Sequence, residues 1–134
     1  MTTTEANIAL VRRAFELLES GDIEGVVACT SPPYHIEYER CYELTHSVLP
    51  DIRITLEDVI ALGDKVVTRY SIHGTHQGEG TLPGFGIIKP TGKNVAVEGI
   101  TIHRVADGKI VEGWGCVDML EALLELGIVS PNRQ

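Results

Sequence analysis

Gly99-Ile100-Thr101-Ile102-His103-Arg104-Val105-Ala106-Asp107-Gly108-Lys109-Ile110-Val111-Glu112-Gly113-Trp114 is the stretch on which the reading of the fold turns. β-Branched residues lie on both sides of an Asp-Gly pair. That pair signals a two-residue hairpin, because both central residues of such a turn need positive φ. The pattern predicts strands over 94–105 and 109–117. With Asp107 and Gly108 as the turn, Ala106 faces Lys109, Val105 faces Ile110, His103 faces Glu112 and Thr101 faces Trp114. Period two then puts Thr101, His103, Trp114, Cys116 and Asp118 on one face, so that an imidazole, an indole and a carboxylate share a surface.

Outward from this hairpin, a second one joins 53–62 to 65–75 through Gly63-Asp64. Residues 77–89, with four glycines and a proline, read as a loop. Asp118 to Leu126 reads as a helix ended by Gly127. Upstream, Thr2 and Glu5 form a capping box before Ile8, Val11, Phe15 and Leu18, which recur at helical spacing up to Gly21. Asp22 caps a short second helix that Ser31-Pro32-Pro33 stops. A third helix runs from about His35 to Leu49, with Glu37, Cys41, Leu44, Thr45 and Val48 along one side, and Pro50 ends it. Helices segregated from a run of antiparallel strands give an α+β fold in one domain, 1–134.

The net charge of −8, with no cluster of Lys and Arg, excludes a nucleic-acid partner and an anionic membrane surface. No apolar run approaches the roughly 20 residues of a membrane span. The opening Met-Thr-Thr-Thr-Glu has neither a basic nor an apolar signal region, so a cytoplasmic location is expected. Cys29, Cys41 and Cys116 read as buried free thiols. His35, His46, His73, His76 and His103 have no ligand spacing with them, so no metal site is expected.

Pro50-Asp51-Ile52-Arg53-Ile54-Thr55-Leu56-Glu57-Asp58-Val59 resembles a segment of the SnoaL-like polyketide cyclases, a branch of the NTF2-like superfamily. So do Gly74-Thr75-His76-Gln77-Gly78-Glu79, Lys89-Pro90-Thr91-Gly92-Lys93, and the hairpin through Trp114 and Asp118. The resemblance covers 50–127, and the first helix with Ser20-Gly21-Asp22. It implies an NTF2-like cone, a curved antiparallel sheet wrapped around N-terminal helices with a central pocket. It also implies a cofactor-free acid–base enzyme that closes a ring by an intramolecular aldol step, or isomerises a small hydrophobic substrate such as a polyketide. The family's catalytic Asp falls on Asp118, with a His one strand away at His103. An apolar cavity would raise the carboxylate's pKa, as a base for an activated C–H requires. Trp114, Phe15, Tyr70 and Thr101 are then the substrate-binding residues. The family pairs through its sheet, and Val66-Val67 and Ile110-Val111 are apolar on both parities, so a homodimer is expected. Family members carry a strand pair between helices two and three, where this chain has only 30–34, which reshapes the pocket mouth.

Other readings stand beside these. Asp118 with Glu121 is also a helix cap, His103 could be a partner for Glu112, and Trp114, Phe15 and Tyr70 could be core. His73 and His76 read as exposed, and Arg69 as one half of a structural ion pair. An epoxide hydrolase or dehydratase on the same cone, or a non-catalytic binding or dimerisation module, are the alternative functions.

Overall fold

The computed structural model describes residues 2–82 and 84–132, the side chains of Leu44 and Leu82 excepted, so the expectation for Leu44 lies outside them. Helices α1 (Thr3–Ser20), α2 (Ile23–Ala28) and α3 (His35–Val48) precede the strands β1 (Arg53–Leu62), β2 (Lys65–Thr75), β3 (Gly80–Leu82), β4 (Gly86–Ile88), β5 (Asn94–Ala106) and β6 (Lys109–Val117), and helix α4 (Met119–Glu125) closes the chain. The main sheet is antiparallel in the order β1-β2-β5-β6. β3 and β4 pair with each other, where the sequence reads as a loop. The curved sheet and its helices form the NTF2-like α+β cone.

Local chemistry explains the element ends. The capping box of Thr2 and Glu5 is made, and Gly21 closes α1 at φ 82°. Asp22 caps α2 through the Gly25 N–H. Asp107 and Gly108 both take positive φ, as the tight hairpin requires. Asn7, Val11 and Ala14 on α1 are buried. Val11 and Ala14 join Cys29, Val66, Val105 and Ile110 in one core, and Leu49, Ile52, Val95 and Ala122 make a second.

α3 is held by its tyrosines rather than by a strong apolar stripe. The Tyr42 hydroxyl donates to the Gly21 carbonyl at 2.6 Å, and His46 Nε2 donates to the Leu18 carbonyl at 2.5 Å. Both bonds tie α3 to carbonyls at the C-terminal end of α1, where helical pairing runs out. Tyr38, one turn before Tyr42, is thereby aimed at the sheet.

The outer sheet face has a register of its own. Ile60, Val67, Ile102 and Trp114 line up across the strands as cross-strand partners. Ile60 is 64% exposed and Trp114 49%. An ion pair lies on each side of this row, Asp58–Arg69 at 2.7 Å and Arg104–Glu112 at 2.6 Å, and the row beside Arg69 continues into Ile100 and Cys116.

Candidate active site

On the inner face three polar side chains of the middle strands sit opposite glycines. Tyr70 pairs with Gly99, Thr101 with Gly115, and His103 with Gly113. The glycines provide room. A Cβ at Gly99 would come within 2.6 Å of the Tyr70 ring, one at Gly113 within 2.6 Å of the Tyr34 hydroxyl, and one at Gly115 within 2.9 Å of Thr101 Oγ1.

His103 is the centre of this arrangement. It is 4% exposed, and Tyr38 Oη lies 2.7 Å from its Nε2. Its Nδ1 is buried with no hydrogen-bond partner among the described residues. Such an orphan costs about 1–3 kcal/mol, which a functional site tolerates more readily than a core does. Desolvation lowers the His103 pKa to about 4, so the ring is neutral at physiological pH. Burial pushes the Tyr38 phenol well above its ordinary value, so it keeps its proton. Phe15 contacts both rings of the group, with centroids 6.1 Å from His103 and 5.3 Å from Tyr70. The Tyr70 and Thr101 hydroxyls are 3.2 Å apart.

Tyr70 also forms part of the wall of an apolar cavity of about 280 Å³ between α3, the inner sheet face and α4. Cys41, Val48, Ile72, Val97, Met119 and Leu123 line it with Tyr70, and His76 adds an imidazole. A contact path of rings, Tyr70 to Phe15 to His103, links this cavity to the buried histidine. A larger polar cleft of about 490 Å³ opens among Asp51, Arg53, His73 and Glu125. Its carboxylates are engaged structurally. Asp51 accepts from the Thr75 N–H and hydroxyl, each at 2.7 Å, and Glu125 accepts from the Ala96 N–H at 3.0 Å. Among the described residues no group of three or more His, Cys, Asp or Glu is placed to hold a metal ion, and no helix is long and apolar enough to cross a membrane.

The shared face expected for His103, Trp114 and Asp118 is not formed. Val105 faces Ile110 as read, but a bulge follows, and Arg104 rather than His103 faces Glu112. Val111 is the extra residue. The shift sets Arg104 against Glu112, whose ion pair favours it. Every side chain beyond it on β6 changes face. Trp114 therefore faces outward opposite Ile102. The Asp118 N–H bonds the Glu98 carbonyl, and Asp118 shares a small outer depression with Glu98, Ser71 and His73. Its carboxylate caps α4 by accepting from the Glu121 N–H at 3.1 Å. Asp118→Ala is expected to cost about 1 kcal/mol of stability and Asp118→Asn almost nothing, readable as a shift in urea midpoint.

Phe15, Tyr70 and Thr101 lie on the inside with His103, as expected from the sequence. Arg69 pairs with Asp58. Cys29 is buried, but Cys41 and Cys116 are exposed, contrary to the reading of all three as buried. His73 is exposed, whereas His76 is only 2% exposed, contrary to expectation. Tyr38 was not singled out from the sequence. Its signal was the four-residue spacing of Tyr34, Tyr38 and Tyr42.

Comparison with known proteins agrees with this architecture. Solved structures similar to the chain include AclR from Streptomyces galilaeus, a proposed hydroxylase, at 24% identity and TM-score 0.84, covering 98% of this chain and 87% of that one. IdmH from Streptomyces antibioticus, a proposed polyketide cyclase, is 26% identical over 90% of this chain and 98% of its own, with TM-score 0.77. TsrD from Streptomyces laurentii is 24% identical over 96% and 100%, with TM-score 0.82. Comparison with curated proteins found no match. The model of the SnoaL-like polyketide cyclase family matches residues 36–126, which is most of the chain, and the protein belongs to that family.

Proposed function

We propose that the protein is a cofactor-free, cyclase-like enzyme acting on a small hydrophobic substrate, with His103 as the acid–base group and Tyr38 as its partner. The observation that carries this reading is the buried, neutral His103 with one nitrogen on Tyr38 and the other unpartnered, joined by ring contacts to an apolar cavity. A cavity of roughly 150 Å³ takes a benzene. One of about 280 Å³ therefore suits a two-ring or ring-forming ligand, whose remainder can extend through the open side.

His103 and Tyr38 can exchange roles. When Nε2–H donates to Tyr38 Oη, Nδ1 carries the free lone pair and is a base. When the Tyr38 hydroxyl donates to Nε2, Nδ1 carries the proton and is an acid. In an aldol closure the proton leaves the α-carbon for Nδ1. The enolate carbon adds to a second carbonyl, and the proton returns to the resulting alkoxide. Burial makes the resting ring a reluctant base, but a developing enolate beside it favours the imidazolium. Nδ1 has no accessible surface in the closed site, so the substrate reaches it through movement of Phe15 or Tyr70.

Exchange of the α-protons of 2-tetralone in D₂O, followed by NMR, tests this reading. The protein should accelerate exchange above buffer at a saturating probe concentration. No acceleration at a concentration where binding is complete would leave a binding module.

We also propose a homodimer through the outer face. The row Ile60-Val67-Ile102-Trp114, with exposed Ile100 in the next row, forms a contiguous apolar strip on the outer face, the kind of surface that marks an interface. Light scattering should give twice the chain mass, and Trp114→Lys should return it to one chain mass. A wild-type monomer at high concentration removes the dimer.

A further inference from the structure

We propose that His76 is a substrate-binding residue whose Nε2–H donates a hydrogen bond to a carbonyl oxygen of the ligand in the apolar cavity. This rests on the reading of that cavity as the substrate site, and it adds the ligand's recognition chemistry.

The tautomer follows from the hydrogen bonds. The Thr91 backbone N–H donates to His76 Nδ1 at 3.3 Å, and the Thr91 hydroxyl lies 3.1 Å from the same nitrogen. A backbone N–H can only donate, so Nδ1 must offer a lone pair. An imidazolium has none, and in the neutral ring the proton then resides on Nε2. The ring is fixed in place as well. The His76 N–H donates to the Lys93 carbonyl, and its carbonyl accepts from the Gly92 N–H, each at 2.9 Å. Thr91 directly precedes these two anchors, so the backbone at 91–93 and the imidazole orient each other.

The residue is 2% exposed and lines the cavity, and the hydrogen bonds to its ring among the described residues are both at Nδ1, which leaves Nε2 available. A protonated nitrogen left free on an apolar wall is a donor awaiting an acceptor. The rest of the wall is mainly aliphatic, with the Tyr70 ring and the Cys41 thiol. The matching ligand is a hydrophobic ring system with a carbonyl-type oxygen at the His76 end. His76 would hold a carbonyl at the end of the cavity away from His103.

The test is a paired binding titration of 2-tetralone and tetralin, which differ by the carbonyl. A neutral hydrogen bond in a dry site is worth roughly 0.5–1.5 kcal/mol, a factor of about 2–12. Wild-type protein should bind 2-tetralone tighter than tetralin by about 2- to 12-fold, and His76→Leu should bring the two together. His76→Gln, which keeps a donor, should retain part of the preference. Should the Leu variant not fold, the carbonyl stretch of ¹³C-labelled 2-tetralone on wild-type protein gives the same answer: a shift to lower frequency on binding is expected. Equal binding of the two probes, or an unshifted stretch, overturns the role of His76 while leaving the cavity intact. Failure of both probes to bind overturns the cavity reading, and the inference with it.

Discussion

Acidification from above pH 7 to below pH 4 is expected to remove about 3 kcal/mol of stability through His103 alone, at about 1.36 kcal/mol for each pH unit by which its folded pKa lies below the unfolded one. The folded ring titrates near 4, because burial disfavours its charge. In the unfolded chain it titrates near its ordinary value of about 6.5. Between these values the unfolded chain holds a proton that the native one does not, so stability falls as pH falls. Above about 6.5 both forms are neutral and the contribution is complete; below about 4 both are charged and no more is lost. Asp51, whose carboxyl the Thr75 hydrogen bonds hold below its ordinary value, acts in a lower window and does not mimic this one. Urea unfolding at several pH values and one protein concentration reads the slope. His103→Gln starts less stable, having lost its fit to Tyr38, but its loss of stability on acidification should be smaller than that of the wild type by about 3 kcal/mol. An unchanged slope in the variant would mean that His103 is not the neutral buried ring described.

Features set by adjacent residues were legible in the sequence. The Asp107-Gly108 turn, the Thr2 capping box and the Asp22 and Asp118 caps each depend on three or four neighbouring residues, and each is found. The bulge at Val111 was not legible. It is favoured by the Arg104–Glu112 pair across two strands, and no period-two count announces an extra residue. That single residue moves Trp114 and Asp118 to the outside and leaves His103 within. The burial of His76 was hidden for another reason. A glycine-rich segment reads as solvated loop, but Gly78 lets the chain lie directly on α3: a Cβ there would be 1.5 Å from the Ser47 carbonyl oxygen. That contact depends on tertiary packing, as does the placement of Tyr38 by the Tyr42 and His46 hydrogen bonds.

His103→Gln is expected to lower proton transfer by roughly 10²–10⁴-fold, the usual share of a positioned acid–base group. The amide has similar size but cannot take up a proton at neutral pH. Tyr38→Phe should fall between wild type and His103→Gln, since it removes the partner that sets the tautomer and not the base itself. Asp118→Asn keeps the cap on α4 and touches nothing on the inner face, so its rate should stay within about threefold of wild type. The most direct measurement is the α-proton exchange rate of 2-tetralone with His103→Gln and Asp118→Asn side by side, each confirmed as folded and probe-saturated. Loss in His103→Gln with near-normal exchange in Asp118→Asn is the expected result. A hundredfold loss in Asp118→Asn with activity retained in His103→Gln would contradict it and assign the proton to the aspartate.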